Sequence, residues 1–584
     1  SASKDVGFVA ASSLAGGRLA TDLKDTPLAY SVITREFLDT LNLFDSEEAL
    51  SWSVGAYQPY TDVTNYRYFN NEAGSSIISR GIQTSRPQRN YFLLGVNTDN
   101  YSEDRIDFAR GPNALLIGTT GLGGSVVTMT KQARTDRTFG RASVTVGSWQ
   151  RKRASLDYNH AFGDRFAFRL NVLKQEADSW RNLEFDERKG VHIAGTWKIL
   201  PKTKLRAEYE NYANDMNVGR ESVEDRVSGW DGVTTAAAPR TVIADAASKG
   251  LVSVGSVTSP YLVYIPGDDP GTLMNWASTW KTLGGGANAS VPVGGVRPLS
   301  TSNLGIDGAA IIGNVYDPSE TLALALAGSA LTPPTRRTVT GPTTPTIVYK
   351  FDDLAVYLEH QQGDHLFFEV GAHTADTSKL SNYIVAREIN EILIDVNQTL
   401  PTGAPNPNFL QPYAEASNSL QYFDNRYDEV RAAVAAVYNG TRWGDFRGNI
   451  IVGRTEAETL TYRKVDVINR NPDIRRRSQT DAFRHRYYFN NPATLVPPDS
   501  LTLVDPVAGT TATYDVSTAM DLNSTTNNRG SETAYNYAQL ALNAKLWNGR
   551  VNLLAGARRD SYLQHDLSVI GSPAALINDY PTDW

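Results

Sequence analysis

Beyond residue 138, apolar and polar residues alternate with a period of two. In residues 151–162, Ala154, Leu156, Tyr158, His160 and Phe162 share one face, and Arg153, Ser155, Asp157 and Asn159 share the other. Phe166, Phe168, Leu170 and Val172 likewise oppose Arg165, Arg169 and Asn171. Val191, Ile193, Trp197 and Ile199 oppose His192, Thr196 and Lys198. Successive side chains of a strand point to opposite faces, so these segments are strands with water on one side and an apolar medium on the other. The pattern predicts eleven strands, near 139–147, 151–162, 165–176, 188–199, 204–213, 350–362, 365–376, 428–439, 445–456, 533–547 and 550–562. Residues 1–21 read as an N-terminal extension, and residues 22–135 follow a different grammar. There Thr34 is placed to cap a helix at 35–41, and Ser46 precedes Glu47-Glu48-Ala49-Leu50, a helix start with acids at the positive end of its dipole. Strand-like pieces at 76–79, 91–96, 105–109 and 125–130 complete a small α+β domain.

The connections between the long strands are informative. Every second one is a tight turn: Gly163-Asp164, Pro201-Lys202-Thr203, Gly363-Asp364, the 439–444 stretch and Asn548-Gly549. After a very short first one, the others are long, at 177–187, 214–349, 377–427 and 457–532. A soluble β-sandwich also alternates. Short turns on one rim and long loops on the other, sustained over eleven strands, are instead the layout of an outer-membrane barrel. The fold class expected is therefore mainly β: a transmembrane antiparallel β-barrel over 136–584, with an N-terminal α+β domain before it. Single-chain bacterial barrels have an even number of strands, and an open edge in lipid leaves unpaired backbone groups. Eleven strands ending on the long-loop side thus predict further strands beyond Trp584, in a protein with about twice the barrel seen here.

Composition narrows the function classes. The 584 residues contain no cysteine, which excludes disulfide frameworks, thiolate metal sites and cysteine nucleophiles. The net charge of −7 argues against nucleic acid as a partner. Mean hydropathy is −0.34, and no run of about 18 apolar residues is present, so a helical membrane protein is not expected. The chain opens at Ser1 without a basic and apolar leader, as a processed or N-terminally unseen protein would. No HExxH, no G-x-S-x-G and no calcium-loop spacing appears, and no catalytic residue, metal or cofactor is expected.

The most specific segment runs from Arg105 to Lys131. A strand ends at Arg110, Gly111-Pro112 turns the chain, a short apolar helical turn runs to Ile117, and Gly118, Gly121, Gly123 and Gly124 allow tight bends before a second strand. It lacks the Gly-Lys-Ser/Thr of a P-loop, and its glycines open a strand rather than the helix of a Rossmann fingerprint. This segment resembles the end of the plug domain of TonB-dependent outer-membrane receptors, with its "RGP", "LYG" and "GGVINIVTK" stretches. Residues 27–37, Ser46-Glu47-Glu48-Ala49-Leu50, Ile78-Ser79-Arg80-Gly81 and Leu93-Leu94-Gly95-Val96-Asn97 resemble the family's upstream motifs in order, although the acid of its "DGV" hairpin is missing here.

The resemblance implies a plug inside a 22-stranded barrel in the outer membrane of a diderm, Gram-negative-type bacterium. It implies active import of a scarce bulky nutrient, an iron-siderophore complex first and an oligosaccharide or cobalamin next, by a non-enzyme. A surface structural or adhesion barrel, using its long loops for intermolecular contacts, is the alternative. The partners implied are the TonB energy-coupling complex, outer-membrane lipid and lipopolysaccharide, and a small-molecule or oligosaccharide substrate. No convincing TonB box lies in residues 1–21. By the same resemblance Arg80 and Arg110, with Gly81 and Gly111, would latch the plug to barrel glutamates. Substrate contacts are expected from aromatic and basic plug loops, at Tyr66, Tyr68, Phe69, Arg86, Arg89 and Tyr91, and from loop residues Trp276 and Trp280. The basic run Arg475-Arg476-Arg477 with Arg484, His485 and Arg486 reads as a solvated loop face, or as an attractor for an anionic ligand or lipopolysaccharide phosphate.

Overall fold

The computed structural model describes residues 30–57, 78–83, 87–109, 123–217, 346–382, 404–441, 443–472, 482–504, 510–521, 528–547 and 549–567, with short pieces of the segments between. The N-terminal part contains β1 (Tyr30–Thr34), α1 (Arg35–Leu41), α2 (Ser46–Leu50), β2 (Ala56–Tyr57), β3 (Ile78–Ser79), β4 (Ile82–Gln83), β5 (Gln88–Arg89), β6 (Phe92–Leu93), β7 (Glu103–Ala109) and β8 (Ser125–Thr130). Thr34 caps α1 as expected, its hydroxyl accepting from the Phe37 amide at 3.3 Å. The cap of α2 is Asp45 rather than Ser46, accepting from the Glu48 amide at 2.9 Å. The strand expected at 91–96 is replaced by the hairpin β5–β6. A five-stranded sheet in the order β1-β7-β8-β5-β6 packs on the helices through Ile33, Leu38, Leu50, Ile106, Phe108 and Val126.

The eleven long strands all form: β9 (Phe139–Val146), β10 (Lys152–Phe162), β11 (Phe166–Glu176), β12 (Phe185–Leu200), β13 (Thr203–Asn217), β14 (Ile347–Gln362), β15 (Leu366–Asn382), β16 (Ser419–Thr441), β17 (Gly444–Ile468), β18 (Arg529–Leu546) and β19 (Val551–Leu567). Each pairs antiparallel with the next in chain order. Among the described residues β9 and β19 each have one neighbour. From β12 onward the strands run further than the periodicity predicts, chiefly away from the short turns: β13 continues to Asn217, β16 starts at Ser419 and β17 reaches Ile468. There the outward positions become charged, with Arg426 on Asp428 at 3.0 Å and Arg454 on Glu456 at 2.6 Å. Hydropathy no longer alternates, but the backbone ladder does not depend on it.

The wall inverts the burial of a soluble protein. Its apolar face is exposed, with Ile193 at 46%, Val430 at 56% and Ile450 at 56%. Its charged face is buried, including Arg153, Arg188, Glu208, Glu210, Asp353, Glu429 and Arg431. An exposed apolar band of this extent on a mainly antiparallel sheet is the lipid-facing surface of a membrane barrel. Exposed Trp197, Tyr438, Trp443 and Trp547 sit at the short-turn rim beside Phe162 and Phe166, and the amphipathic Trp and Tyr rings mark a membrane interface.

The N-terminal domain is lodged against the inner face. Its Leu94, Val96 and Tyr101 share one buried core with Leu173, Tyr212, Phe351, Ala375 and Tyr427 of the wall. On the long-loop side, Leu262–Tyr264, Pro412–Ala416 and Phe483–Tyr488 pair into one sheet with pieces at 224–225 and 391–394, tying three long connections together. This corrects the reading of His485 and Arg486 as a solvated face. Both are buried, His485 stacked on Tyr487 at 4.2 Å and the Arg486 guanidinium over Tyr413 at 4.3 Å. The run 475–477 lies outside the described residues.

Candidate functional site

The plug meets the wall through a dense buried polar interface. Its centre is the β5–β6 hairpin, in the register Gln88↔Leu93 and Arg89↔Phe92. Both tip residues take positive φ, Asn90 at 48° and Tyr91 at 67°. Asparagine tolerates this region, but tyrosine pays about 1–2 kcal/mol for it. The wall and the neighbouring strand hold the tip in place. The Asn90 side-chain amide donates to Thr130 Oγ1 at 2.8 Å and to Glu208 Oε1 at 2.5 Å. Thr130 Oγ1 donates to Glu208 Oε2 at 2.6 Å, and Arg431 Nη1 reaches the Asn90 carbonyl at 2.9 Å. Arg89 forms an ion pair with Glu210, both almost fully buried, and Ser102 Oγ bridges them at 3.0 and 3.2 Å. Phe92 stacks on His373 at 4.8 Å and 5°, under the Arg431 guanidinium at 4.0 Å. His373 Nε2 lies 2.9 Å from Asp353 Oδ2. Gly371 makes room for this: a Cβ there would stand 3.0 Å from Phe92 Cζ.

A second tie forms where helix caps face wall arginines. Asp45 caps α2, and Asp99 caps the 3-10 turn Asn100–Ser102, accepting from the Tyr101 amide at 3.0 Å. Both carboxylates also face the wall, Asp45 through its other oxygen and Asp99 through both. Asp99 takes Arg153 at 2.6 and 2.9 Å and Arg188 at 3.2 Å, and Arg188 also reaches Asp45 at 3.2 Å. Burial alone would raise the Asp99 carboxyl, but Arg153 and Arg188 hold it below the usual carboxylate range. A third tie lies where the plug leaves for the wall. Lys131 sits 3.1 Å from Asp157, which Arg169 grips with two bonds of 2.7 and 2.8 Å. Burial, then Arg35, push Lys131 down to about 8.

Carboxylates outnumber cations at the hairpin. Glu210, Asp353, Glu208 and Glu103 all act on Arg89. Glu103, fully buried in the plug, is pushed up to about 7 by burial, against the hydrogen bond from Thr98 and the charge of Arg89. One acid of this cluster thus holds its proton well above the ordinary carboxylate range.

The structure brings together Arg89 and Tyr91 of the expected substrate residues, but buries both in the wall contact rather than presenting them outward. Arg80 is exposed, with φ 52°, its amide bonded to the Gly55 carbonyl at 2.9 Å; no ion pair reaches it among the described residues. Gly81 follows it at φ 81°. Tyr66, Tyr68, Phe69, Arg86, Arg110, Gly111 and Trp276 lie outside the described residues, as does the side chain of Trp280, whose backbone joins the short strand Trp280–Thr282. Sequence reasoning missed Asp99, Arg188, Glu208, Glu210 and Arg431. The available signal was their parity: each wall member lies on the charged face of an alternating strand.

These features define a plugged β-barrel of the outer membrane. No family model matches the chain. Curated relatives do match parts of it. The metal-pseudopaline receptor CntO of Pseudomonas aeruginosa is 28% identical over 221 residues, covering 37% of this chain and 30% of the relative. The ferrioxamine receptor of Yersinia enterocolitica is 25% identical over 186 residues, covering 31% and 26%. The catecholate siderophore receptor Fiu of Escherichia coli O157:H7 is 31% identical over 147 residues, covering 24% and 19%. The matches thus span less than a third of each relative's length. Among solved structures, the ferric preacinetobactin receptor BauA of Acinetobacter baumannii superposes with a TM-score of 0.57 at 13% identity, covering 96% of this chain and 62% of that one. The pyoverdine receptor FpvA of P. aeruginosa gives 0.58 at 12%, covering 96% and 55%. At these identities the superpositions establish the fold. The sequence relatives and the structural neighbours are TonB-dependent outer-membrane receptors, and their likeness supports that family for this chain. The relatives are receptors rather than enzymes.

Proposed function

We propose that this protein imports a metal–siderophore chelate across the outer membrane, driven through TonB. The observation that carries the reading is the plug held in the wall by buried ion pairs rather than by an apolar seal alone. Removing one partner of such a pair costs about 3–5 kcal/mol, whereas an intact set is close to neutral against an apolar contact. Such a plug is secure at rest and yields when a pull displaces it. The relatives named as receptors for metal-pseudopaline, ferrioxamine and catecholate siderophores support a ferric or related chelate as cargo. Oligosaccharide and cobalamin are the next classes. We further propose that residues 22–135 act as the plug and that Tyr66, Tyr68, Phe69 and Arg86, with the long loops, contact the substrate. Arg80 and Arg110 would engage barrel carboxylates as part of the latch.

The test is uptake of iron-55 by cells whose only outer-membrane receptor is this one. Ferrioxamine B and a tris-catecholate complex would be offered, with TonB present and absent. Accumulation of at least one complex, lost without TonB or on collapse of the proton gradient, is expected. Binding and uptake of neither, with a correctly inserted receptor, would overturn the reading.

A further inference from the structure

Below the β5–β6 hairpin lies a cavity of about 530 Å³ between plug and wall. Asn90 and Tyr91, the two positive-φ tip residues, form part of its ceiling. Its floor opens at the short-turn rim, where Pro201, Lys202 and Thr203 line it. Its basic residues are Lys198, Lys202, Lys204, Arg206 and Arg431, and its acids are Glu359 and Glu369, so the lining carries three more cations than carboxylates. Glu359 is already engaged by Lys204 at 2.6 Å and by Arg206 at 2.5 Å, and Glu369 by Arg431 at 3.0 Å.

We propose that this cavity is the exit compartment of the import path, that the β5–β6 hairpin is its gate, and that its basic lining selects an anionic ligand. The inference rests on the import reading above and adds the route and the charge of the cargo. Three observations converge on it. The cavity exists at rest and is of the size that holds a small-molecule ligand. The element that closes it on the plug side is a hairpin of two-residue strands at one end of the five-stranded sheet, with β6 as the edge strand. That hairpin has a strained tip over-determined by wall contacts from Glu208, Glu210 and Arg431. Displacing the tip breaks the Arg89–Glu210 pair, frees Asn90 and relaxes Tyr91. It also releases Arg431 from the Asn90 carbonyl, leaving that guanidinium, on the cavity wall, with a free donor for a passing carboxylate or phenolate.

None of these 584 residues is a cysteine, and any cysteine elsewhere in the receptor is first replaced by serine, so that introduced thiols are the only ones. In the whole receptor, Asn90→Cys with Glu208→Cys, whose parent side chains meet at 2.5 Å, would be bridged by a short bifunctional thiol reagent that a reductant cleaves. Uptake of iron-55 as the anionic tris-catecholate, with the cationic ferrioxamine B complex alongside, is compared in the same variant, bridged and cleaved. At least a tenfold fall on bridging, recovered on cleavage, with outer binding unchanged, is expected. Equal uptake in both states would overturn the gate.

A second measurement does not need the cargo. Proteoliposomes holding carboxyfluorescein, an anionic dye, carry either the parent or Arg89→Ala. The variant is expected to release dye at least tenfold faster. Adding Asn449→Cys in the cavity wall and attaching a bulky thiol reagent is expected to bring release back toward the parent rate. A cationic dye of similar size should leave more slowly than the anionic one. Release unaffected by the bulky group, or no preference for the anion, would overturn the compartment. Failure of both ferric complexes to bind or enter even in the cleaved state, with dye release behaving as stated, would sink the siderophore reading and leave the gate standing.

Discussion

Replacing Arg89 by alanine tests whether the plug is held by paired charge. Arg89 and Glu210 are buried to 2% and 1% side-chain exposure. Without the guanidinium, Glu210 keeps the Ser102 hydroxyl at 3.2 Å and the neighbouring Tyr101 but no cation partner, in a cluster where Glu208, Glu103 and Asp353 lie close. An uncompensated buried charge of this kind costs about 3–5 kcal/mol. At about 1.4 kcal/mol per tenfold, that is two to three powers of ten in the equilibrium for opening the plug. The double variant Arg89→Ala/Glu210→Ala leaves no orphan charge and should recover most of the loss, to within about 1–2 kcal/mol of the parent. The assay is hydrogen exchange of the amides in β7 and β8, with the wall strands β10–β13 as internal reference. The single variant should lose protection in the plug and not in the wall. Parent-like protection in Arg89→Ala, or a double variant as unstable as the sum of the singles, would refute the reasoning.

Further consequences follow from the same geometry. Glu103 is raised in the folded plug from an ordinary 4.5 to about 7, so the folded state binds more protons in that window. Plug stability should fall as pH rises from about 4.5 to about 7 and level off above, by no more than about 3.5 kcal/mol, and Glu103→Gln should flatten the profile measured by hydrogen exchange. Asp99 is lowered, with the opposite sign: its contribution is present above its unfolded value and is lost as pH falls through the folded one, so Asp99→Asn should remove the steepest acid-side loss. Gly371→Ala places a Cβ 3.0 Å from Phe92 Cζ and should cost about 1–3 kcal/mol in plug docking. Adding Phe92→Leu should restore part of it, read as protection of the 88–93 amides. Val356→Arg puts a charge on the lipid-facing band and should lower barrel stability in a bilayer by about 2–4 kcal/mol, measured by reversible unfolding from lipid vesicles.

The sequence by itself determined the strand count, the faces and the rims. Alternation such as Phe166, Phe168, Leu170 and Val172 against Arg169 and Asn171 is a local signal, because side-chain direction in a strand is set by the backbone. Turn residues such as Gly163-Asp164 act locally too, and the motif from Arg105 to Lys131 carried the plug. Strand ends were less legible, since above the membrane band the outward face turns charged at Arg426 and Arg454 and the alternation in hydropathy stops. Only the tertiary structure decided which inward charge meets which plug residue. Arg89 and Glu210 are 121 positions apart, and Asn90 and Arg431 are 341 apart. No periodicity relates such residues. Their meeting depends on the curvature of the wall and on how the plug is seated in it. Parity placed Glu208 and Glu210 on the inner face, and the fold chose their partners.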